Sequence, residues 1–176
     1  RHSLSHSTSA GLADMSTSAS SDRVSEEALR TLEYVREFRD EFVDFLSGLC
    51  RVESPTDRAE TQTGVHEILG PAFEDLGYDV RILPGRVSGN HMLATPRRRT
   101  KRAPSQLLVG HSDTVWPLET LHTMPVAVHD GRLHGPGTLD MKGGLTQIVF
   151  ALRALRDLGH EPEVTPVVFV NSDEEV

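Results

Sequence analysis

Residues 145–170 read LTQIVFALRALRDLGHEPEVTPVVFV and contain the pattern of a helix and then, after a short connection, that of a buried strand. In the first part, apolar residues recur every three or four positions, the spacing of one helix face, and we predict a helix over residues 141–158 that ends at Gly159. In the second part, residues 167–170 are uniformly apolar, which is typical of a strand covered on both faces. Helices that alternate with such strands indicate an α/β fold.

The chain before this stretch has the same alternation. Apolar residues at helical spacing begin after Ser25, a suitable N-cap, and predict one amphipathic helix that includes Cys50 and is broken by residues 53–56. A second helix is predicted over residues 60–76, closed by Gly77. Strands are predicted over residues 78–82, 91–95 and 106–110, the last buried on both faces, with a hairpin around Asp130-Gly131. We therefore expect an α/β fold with helices packed on a mixed sheet.

The composition excludes several classes of protein. The 176 residues carry a net charge of −8 and a single cysteine, so neither an internal disulfide nor a cysteine-based zinc finger is possible. The acidic balance argues against a general nucleic-acid-binding protein, and no apolar run is long enough for a membrane helix. Residues 1–22 are rich in serine and have no apolar face, which predicts disorder. We expect a cytoplasmic protein whose folded part spans residues 23–176.

One basic run, Arg97-Arg98-Arg99-Thr100-Lys101-Arg102, stands between two predicted strands. It offers a contact for RNA, DNA or an acidic partner, but no aromatic residues are interleaved for base stacking. A solvated connection between strands is the interpretation that we favour, so no nucleic-acid partner is expected.

Polar side chains that can bind a metal follow the apolar strands and fill one glycine-rich turn. This placement matters because α/β sheets bind ligands beyond the carboxyl ends of their strands. The three clusters are His111-Ser112-Asp113, Asp140 in the turn GPGTLDMKGG at residues 135–144, and Asp173-Glu174-Glu175.

Each cluster has a chemistry that suits a metal site. A neutral imidazole such as His111 and carboxylates are zinc ligands, and Asp113 can accept the other N–H of that imidazole instead of binding metal. A single aspartate such as Asp140 can bridge two ions. Adjacent glutamates point in different directions, so one of Glu174 and Glu175 can bind metal while the other acts as a general base.

Each cluster taken alone also has a simpler interpretation. The His-x-Asp pair is compatible with a strand-end histidine held by a nearby carboxylate, and Asp140 with the N-cap of the following helix. The acidic triplet is compatible with a solvated turn. His122 and His134 lie near these clusters, and a surface role is favoured for both.

Together the clusters are more specific. Residues 110–117 (GHSDTVWP), 131–144 (GRLHGPGTLDMKGG) and 167–176 (VVFVNSDEEV) resemble, in the same order, the motifs of the co-catalytic zinc peptidases of the glutamate carboxypeptidase and acetylornithine deacetylase family. Trp116-Pro117 and the residues after it are most similar to the glutamate carboxypeptidase branch. The resemblance implies a zinc aminopeptidase-like catalytic domain.

The resemblance also implies a role for each residue. His111 is then a ligand of one zinc, Asp113 the catalytic partner that orients it, Asp140 the bridging carboxylate, Glu174 the general base and Glu175 a ligand of the other zinc. The expected cofactor is a pair of zinc ions, with cobalt as the alternative.

The family further uses an Asp and a His downstream and a smaller lid domain through which it dimerises. None of these is found within residues 1–176, so the sequence is expected to be a truncated, N-terminal part of a larger homodimeric hydrolase and to bind zinc only weakly when expressed alone. The expected reaction of the complete enzyme is hydrolysis of an amide bond next to a free carboxylate, in a small peptide with a C-terminal glutamate or in an N-acyl amino acid. The alternatives are a dipeptidase or acyl-amino-acid deacylase of the same family, and a non-catalytic binding module.

Overall fold

A computed structural model describes residues 26–99 and 103–176 of the chain, which divides into two compact units, Arg1–Glu37 and Phe38–Val176. In the first unit, residues 26–37 form helix α1, on which Leu29, Leu32 and Val35 are exposed. The predicted disorder of residues 1–22 and the predicted N-cap at Ser25 lie outside the described residues.

Helix α2, Arg39–Cys50, opens the second unit. The prediction of one continuous helix up to Cys50 is wrong, because Phe38 has φ −93° and ψ 18° and leaves the helical conformation. Leu49 and Cys50 at the end of α2 are fully buried, as the predicted apolar stripe requires.

Four strands form a mixed sheet in the order β1-β2-β6-β3. Strand β2 is antiparallel to both β1 and β6, whereas β3 runs parallel to β6. The bounds of the four strands are Tyr78–Leu83 for β1, His91–Pro96 for β2, Ser105–His111 for β3 and Thr165–Asn171 for β6. The predicted mixed sheet is confirmed.

Two further helices pack with α2 against this sheet. Helix α3, Thr63–Asp75, follows a short 3₁₀ turn at Ala59–Gln62, and helix α5, Gly143–Asp157, precedes β6. Helix α4 is a single turn, Thr120–Thr123, that follows β3. The apolar stripes of α3 and α5 meet the side chains of β2 and β6 in one core. The most deeply buried members of this core are Leu49, Val65, Leu69, Phe73, Met92, Ala94, Leu145, Val168 and Val170.

The burial of strand β3 differs from the prediction. Its apolar run was expected to be buried on both faces, but Leu107 is 57% and Val109 58% exposed. These two residues pair in register with Val167 and Phe169 of β6, on the face opposite to the buried Val168. Because β3 is the edge strand of the described sheet and the helices cover one face, only alternate residues reach the core.

A separate hairpin joins β4, Ala127–His129, to β5, Arg132–His134. The turn residues Asp130 and Gly131 have φ values of 50° and 72°. Positive φ at both positions is the type I′ geometry that the Asp-Gly pair predicts, so the predicted hairpin is confirmed.

The basic run is exposed where it is described, at Arg97, Arg98 and Arg99. Arg97 donates to Asp79 across the β1–β2 pair at 3.0 Å. Thr100, Lys101 and Arg102 lie outside the described residues. Within the described part of the chain, none of the helices has the length and apolar character needed to cross a membrane.

Candidate metal centre

The carboxyl ends of β3 and β6 bring two of the predicted clusters together. His111 pairs with Asn171 in the parallel register, and the Ser112 N–H donates to the Asn171 carbonyl at 2.8 Å. Residues that follow adjacent parallel strands emerge at the same edge of the sheet. His111, Glu174 and Glu175 therefore each offer one ligand atom, and these atoms all lie within 4.8 Å of one another.

Asp140 reaches the same place from the turn Thr138–Lys142, which connects the hairpin to α5. Its Oδ1 lies 3.0 Å from Nε2 of His111. Gly137 enters the turn at φ 70°, and a Cβ there would lie 2.8 Å from Cγ2 of Thr114, so glycine is required for this close approach. Helix α5 begins at Gly143 and is not capped by Asp140, so the alternative interpretation of Asp140 as an N-cap is wrong.

His111 is 5% exposed and its two ring nitrogens face different partners. Nε2 points to Oδ1 of Asp140 and lies 4.0 Å from Oε2 of Glu174, whereas Nδ1 lies 3.0 Å from the backbone carbonyl of Asp113 and 3.4 Å from its Oδ1. The carboxylate of Asp113 that faces Nδ1 is the main cause that raises the pKa of His111 to about 9, and the hydrogen bond with Asp140 adds to it. Nε2 is thus the nitrogen that a metal ion among the carboxylates would meet.

The side chain of Asp113 is completely buried and contacts three other residues of the site. Its Oδ2 accepts hydrogen bonds from Oγ1 of Thr56 at 2.8 Å and from the backbone N–H of Glu175 at 3.0 Å, while Oδ1 faces His111. Burial acts to raise the pKa of Asp113, but the facing imidazole of His111 and the hydrogen bonds from Glu175 and Thr56 outweigh it and hold the pKa well below its usual range. Asp113 is therefore a buried carboxylate that stays charged.

The donor set fits a divalent cation. Asp140 and Glu174 lie 3.0 Å and 4.0 Å from Nε2 of His111, and Glu175 belongs to the same group of ligand atoms as His111 and Glu174. The pKa of Glu175 is raised by burial and by the neighbouring charge of Asp140. Carboxylates that repel one another in this way are stabilised by a bound cation, and oxygen and imidazole donors together suit zinc. The residues present could hold such an ion at Nε2 of His111.

A comparison with known proteins agrees with this chemistry. Residues 107–176, which contain the whole cluster, match the model of peptidase family M20/M25/M40. Carboxypeptidase G2 of Pseudomonas sp. (strain RS-16) is 30% identical over 132 residues, 74% of this chain and 31% of that protein. The chain belongs to the M20/M25/M40 peptidase family. Its members are metal-dependent hydrolases, and the predicted family is confirmed.

Solved structures of two peptidases have the same fold as this chain. Human carnosine dipeptidase 1 superposes with a TM-score of 0.71 at 20% identity, over 83% of this chain and 34% of that one. An M20 family metallo-carboxypeptidase from Sulfolobus solfataricus superposes with a TM-score of 0.62 at 19% identity, over 79% of this chain and 31% of that one. This M20 chain therefore spans about a third of the length of the relatives it matches.

The structure does not bring every nearby histidine into the cluster. His122 and His134 are both exposed, and the ring of His134 lies beside that of His129 in the hairpin. Neither belongs to the group of ligand atoms around His111 in the described part of the chain.

Sequence reasoning missed the segment 52–56, which it interpreted only as a helix break. The buried Ser54 hydroxyl donates to the Ser112 carbonyl at 2.8 Å, and the Thr114 N–H donates to the Ser54 carbonyl at 2.9 Å. Oε2 and Oε1 of Glu53 accept the backbone N–H groups of Glu119 and Leu121, each at 2.9 Å. The Ser-Pro-Thr sequence signals a turn, but nothing local in it indicates the strand-end loop that it contacts.

Lys142 of the glycine-rich motif also supports this segment. It is 1% exposed, and its Nζ donates to the backbone carbonyl of Val52. Burial lowers the pKa of Lys142 to about 8. The residue thus ties the turn that carries Asp140 to the end of α2.

Proposed function

We propose that His111, Asp140 and Glu175 hold zinc in a hydrolase of the metallocarboxypeptidase type, which cleaves an amide bond next to a free carboxylate. One observation carries the proposal: Nε2 of His111 lies 3.0 Å from Asp140 and shares a 4.8 Å cluster with the carboxylates of Glu174 and Glu175. We further propose two ions with Asp140 between them and cobalt as the alternative metal. The remaining ligands, an Asp and a His by resemblance to the family, would come from outside residues 1–176.

Each residue has a task that follows from its position. Asp113 faces Nδ1 of His111, fixes the ring orientation and leaves Nε2 free for metal. Bound zinc lowers the pKa of a water ligand toward about 7 and polarises the substrate carbonyl. Glu174, which lies 4.0 Å from Nε2 of His111, removes a proton from the attacking water and later delivers it to the leaving amine.

The substrate class rests on the relative with the stronger sequence likeness, a carboxypeptidase. Small peptides with a C-terminal glutamate and N-acyl amino acids are the substrates that we propose. A dipeptidase or acyl-amino-acid deacylase is the alternative, since human carnosine dipeptidase 1 has the same fold. A homodimer formed through a separate lid domain and a cytoplasmic location stay predictions from the sequence.

The test combines metal content with a substrate panel. The protein, in the complete reading frame that contains these residues, is dialysed against zinc and assayed with N-acyl glutamates, N-acyl apolar amino acids and free dipeptides, with and without a chelator. Chelator-sensitive release of glutamate supports the proposal. Preference for free dipeptides would favour the dipeptidase, and zinc-free protein without turnover would show a non-catalytic module.

A further inference from the structure

Thr56 and Asp113 are 57 residues apart in sequence, and the hydroxyl of Thr56 lies 2.8 Å from Oδ2 of Asp113. The same hydroxyl is 3.5 Å from the carbonyl of Thr114, so the single hydroxyl proton goes to the nearer carboxylate. Oδ2 of Asp113 accepts a second hydrogen bond, from the backbone N–H of Glu175 at 3.0 Å. One oxygen atom therefore joins residue 56 to the loop that carries both glutamates.

The backbone of residues 54–56 is held against the strand end that carries Asp113. Pro55 forms a parallel bridge with Thr114, and the Thr56 N–H donates to the Thr114 carbonyl at 3.3 Å. One residue earlier, Ser54 donates to the Ser112 carbonyl and accepts from the Thr114 N–H. The hydroxyl consequently has a fixed place relative to the carboxylate.

Asp113 has no other side-chain hydroxyl donor among the described residues. Its Oδ1 lies 3.4 Å from Nδ1 of His111, outside hydrogen-bond geometry, and makes no other hydrogen bond. A carboxyl group turns about its terminal bond unless hydrogen bonds hold it, because terminal sp³–sp² torsions are broad. Thr56 and the Glu175 N–H together hold Oδ2, and this places Oδ1 toward the imidazole.

We propose that Thr56 is a positioning residue of the metal centre. Its hydroxyl fixes the Asp113 carboxylate in the one orientation that directs His111 and also holds the Glu174–Glu175 loop beside it. The part of this inference that concerns metal rests on the proposed function. The part that concerns the Glu175 N–H depends on the protein alone.

Three variants of the protein, each in the complete reading frame that contains residues 1–176, test the proposal. Thr56→Val removes the hydroxyl at constant shape, Thr56→Ser keeps it, and Thr61→Val is the matched control, because the Thr61 hydroxyl donates only to the nearby Arg58 carbonyl at 2.7 Å. Zinc affinity is measured by calorimetric titration, and the hydrogen exchange rate of the Glu175 amide is measured by NMR in metal-free protein. Far-UV circular dichroism verifies that each variant is folded.

Thr56→Val should weaken zinc binding about tenfold or more, the effect typical of losing an outer-shell partner. It should also accelerate hydrogen exchange at the Glu175 amide. In Thr56→Ser and Thr61→Val, the zinc affinity and the exchange rate should stay within about twofold of the parent values, because both variants keep a hydroxyl at position 56 beside Asp113. The proposal is overturned if Thr56→Val leaves the Glu175 amide unchanged, or if Thr56→Ser fails as badly as Thr56→Val. If Thr56→Val does not fold, Thr56→Ser decides the outcome. Parental zinc affinity and amide exchange in Thr56→Ser support the proposal, whereas weaker zinc binding with faster exchange overturns it.

The two proposals fail in different ways. A parent chain that takes up no zinc, even with the rest of the reading frame present, contradicts the proposed function, and the amide exchange then decides the role of Thr56 alone. A parent chain that binds zinc, with Thr56→Val binding equally well, contradicts only the positioning role.

Discussion

Nε2 of His111 lies 3.0 Å from Oδ1 of Asp140, although the two residues are 29 positions apart and stand on opposite sides of the β4–β5 hairpin. His111 ends strand β3, and Asp140 lies in the irregular turn before α5. Their meeting places an imidazole nitrogen and a largely exposed carboxylate at one point, with the Glu174–Glu175 pair beside them. Four predictions follow from this cluster and from the packing around it.

Replacing Asp140 by alanine should abolish zinc retention and hydrolysis in the complete enzyme. Asp140 is the only carboxylate within hydrogen-bond distance of Nε2 of His111 among the described residues, and we propose that it contacts both ions. His134→Ala, in the nearby hairpin, is the control and should keep near-parental zinc content. Atomic absorption after dialysis and an N-acyl glutamate assay measure both effects. Near-parental turnover by Asp140→Ala would contradict the bridging role.

Glu174→Gln and Glu175→Gln should both lower the rate of hydrolysis but should differ in zinc content. Glutamine at position 174 keeps the shape of the side chain but cannot accept a proton, so kcat should fall by about 10²- to 10⁴-fold while zinc is retained. Glutamine at position 175 should lower zinc content as well as rate. Metal analysis beside steady-state kinetics distinguishes the two variants. Equal zinc loss in both would show that the roles are assigned wrongly.

The buried His66 should make the protein sensitive to mild acid. Burial, with a smaller contribution from the charge of His91, lowers the pKa of His66 below its ordinary value. The unfolded chain then takes up a proton near pH 6.5 while the folded protein does not, so the free energy of unfolding falls as the pH drops below about 6.5. Urea unfolding at two pH values on either side of 6.5 measures this loss.

The variant His66→Gln isolates that contribution. It removes the titrating group, so the difference in unfolding free energy between the two pH values should become smaller than in the parent. His122→Gln, at an exposed position, is the control and should leave the pH dependence unchanged. An identical pH dependence in His66→Gln and the parent would refute the prediction.

Gly137→Ala should destabilise the protein more than Gly131→Ala. Both glycines have φ near 70°, where an alanine costs about 1–2 kcal/mol. At position 131 a Cβ meets nothing within 4 Å, whereas at 137 it would lie 2.8 Å from Cγ2 of the buried Thr114. This steric conflict should add about 1–3 kcal/mol, measured by urea unfolding. Equal losses at both positions would show that the turn has room to move.

Most of the elements followed from the sequence because their signals are local, although the break between α1 and α2 at Phe38 did not. The three-and-four spacing over residues 141–158 predicts α5, the uniform run at 167–170 predicts β6, and the Asp-Gly pair predicts the turn at 130–131. Side-chain periodicity depends on the geometry of each element alone, so no knowledge of its neighbours is needed. The order of the three motifs was likewise enough for the family.

The faces of each element that are buried, and the residues that contact them, were decided only by the tertiary structure. The run at Leu107 and Val109 is equally apolar on both faces in sequence, yet the described helices pack on the other face of the sheet and leave these two side chains exposed. The hydrogen bond between Thr56 and Asp113 likewise has no local signal, because it joins residues 57 positions apart that are brought together by the bridge between Pro55 and Thr114. Periodicity specifies which way a side chain points along its own element, whereas the identity of its partner depends on how the elements pack.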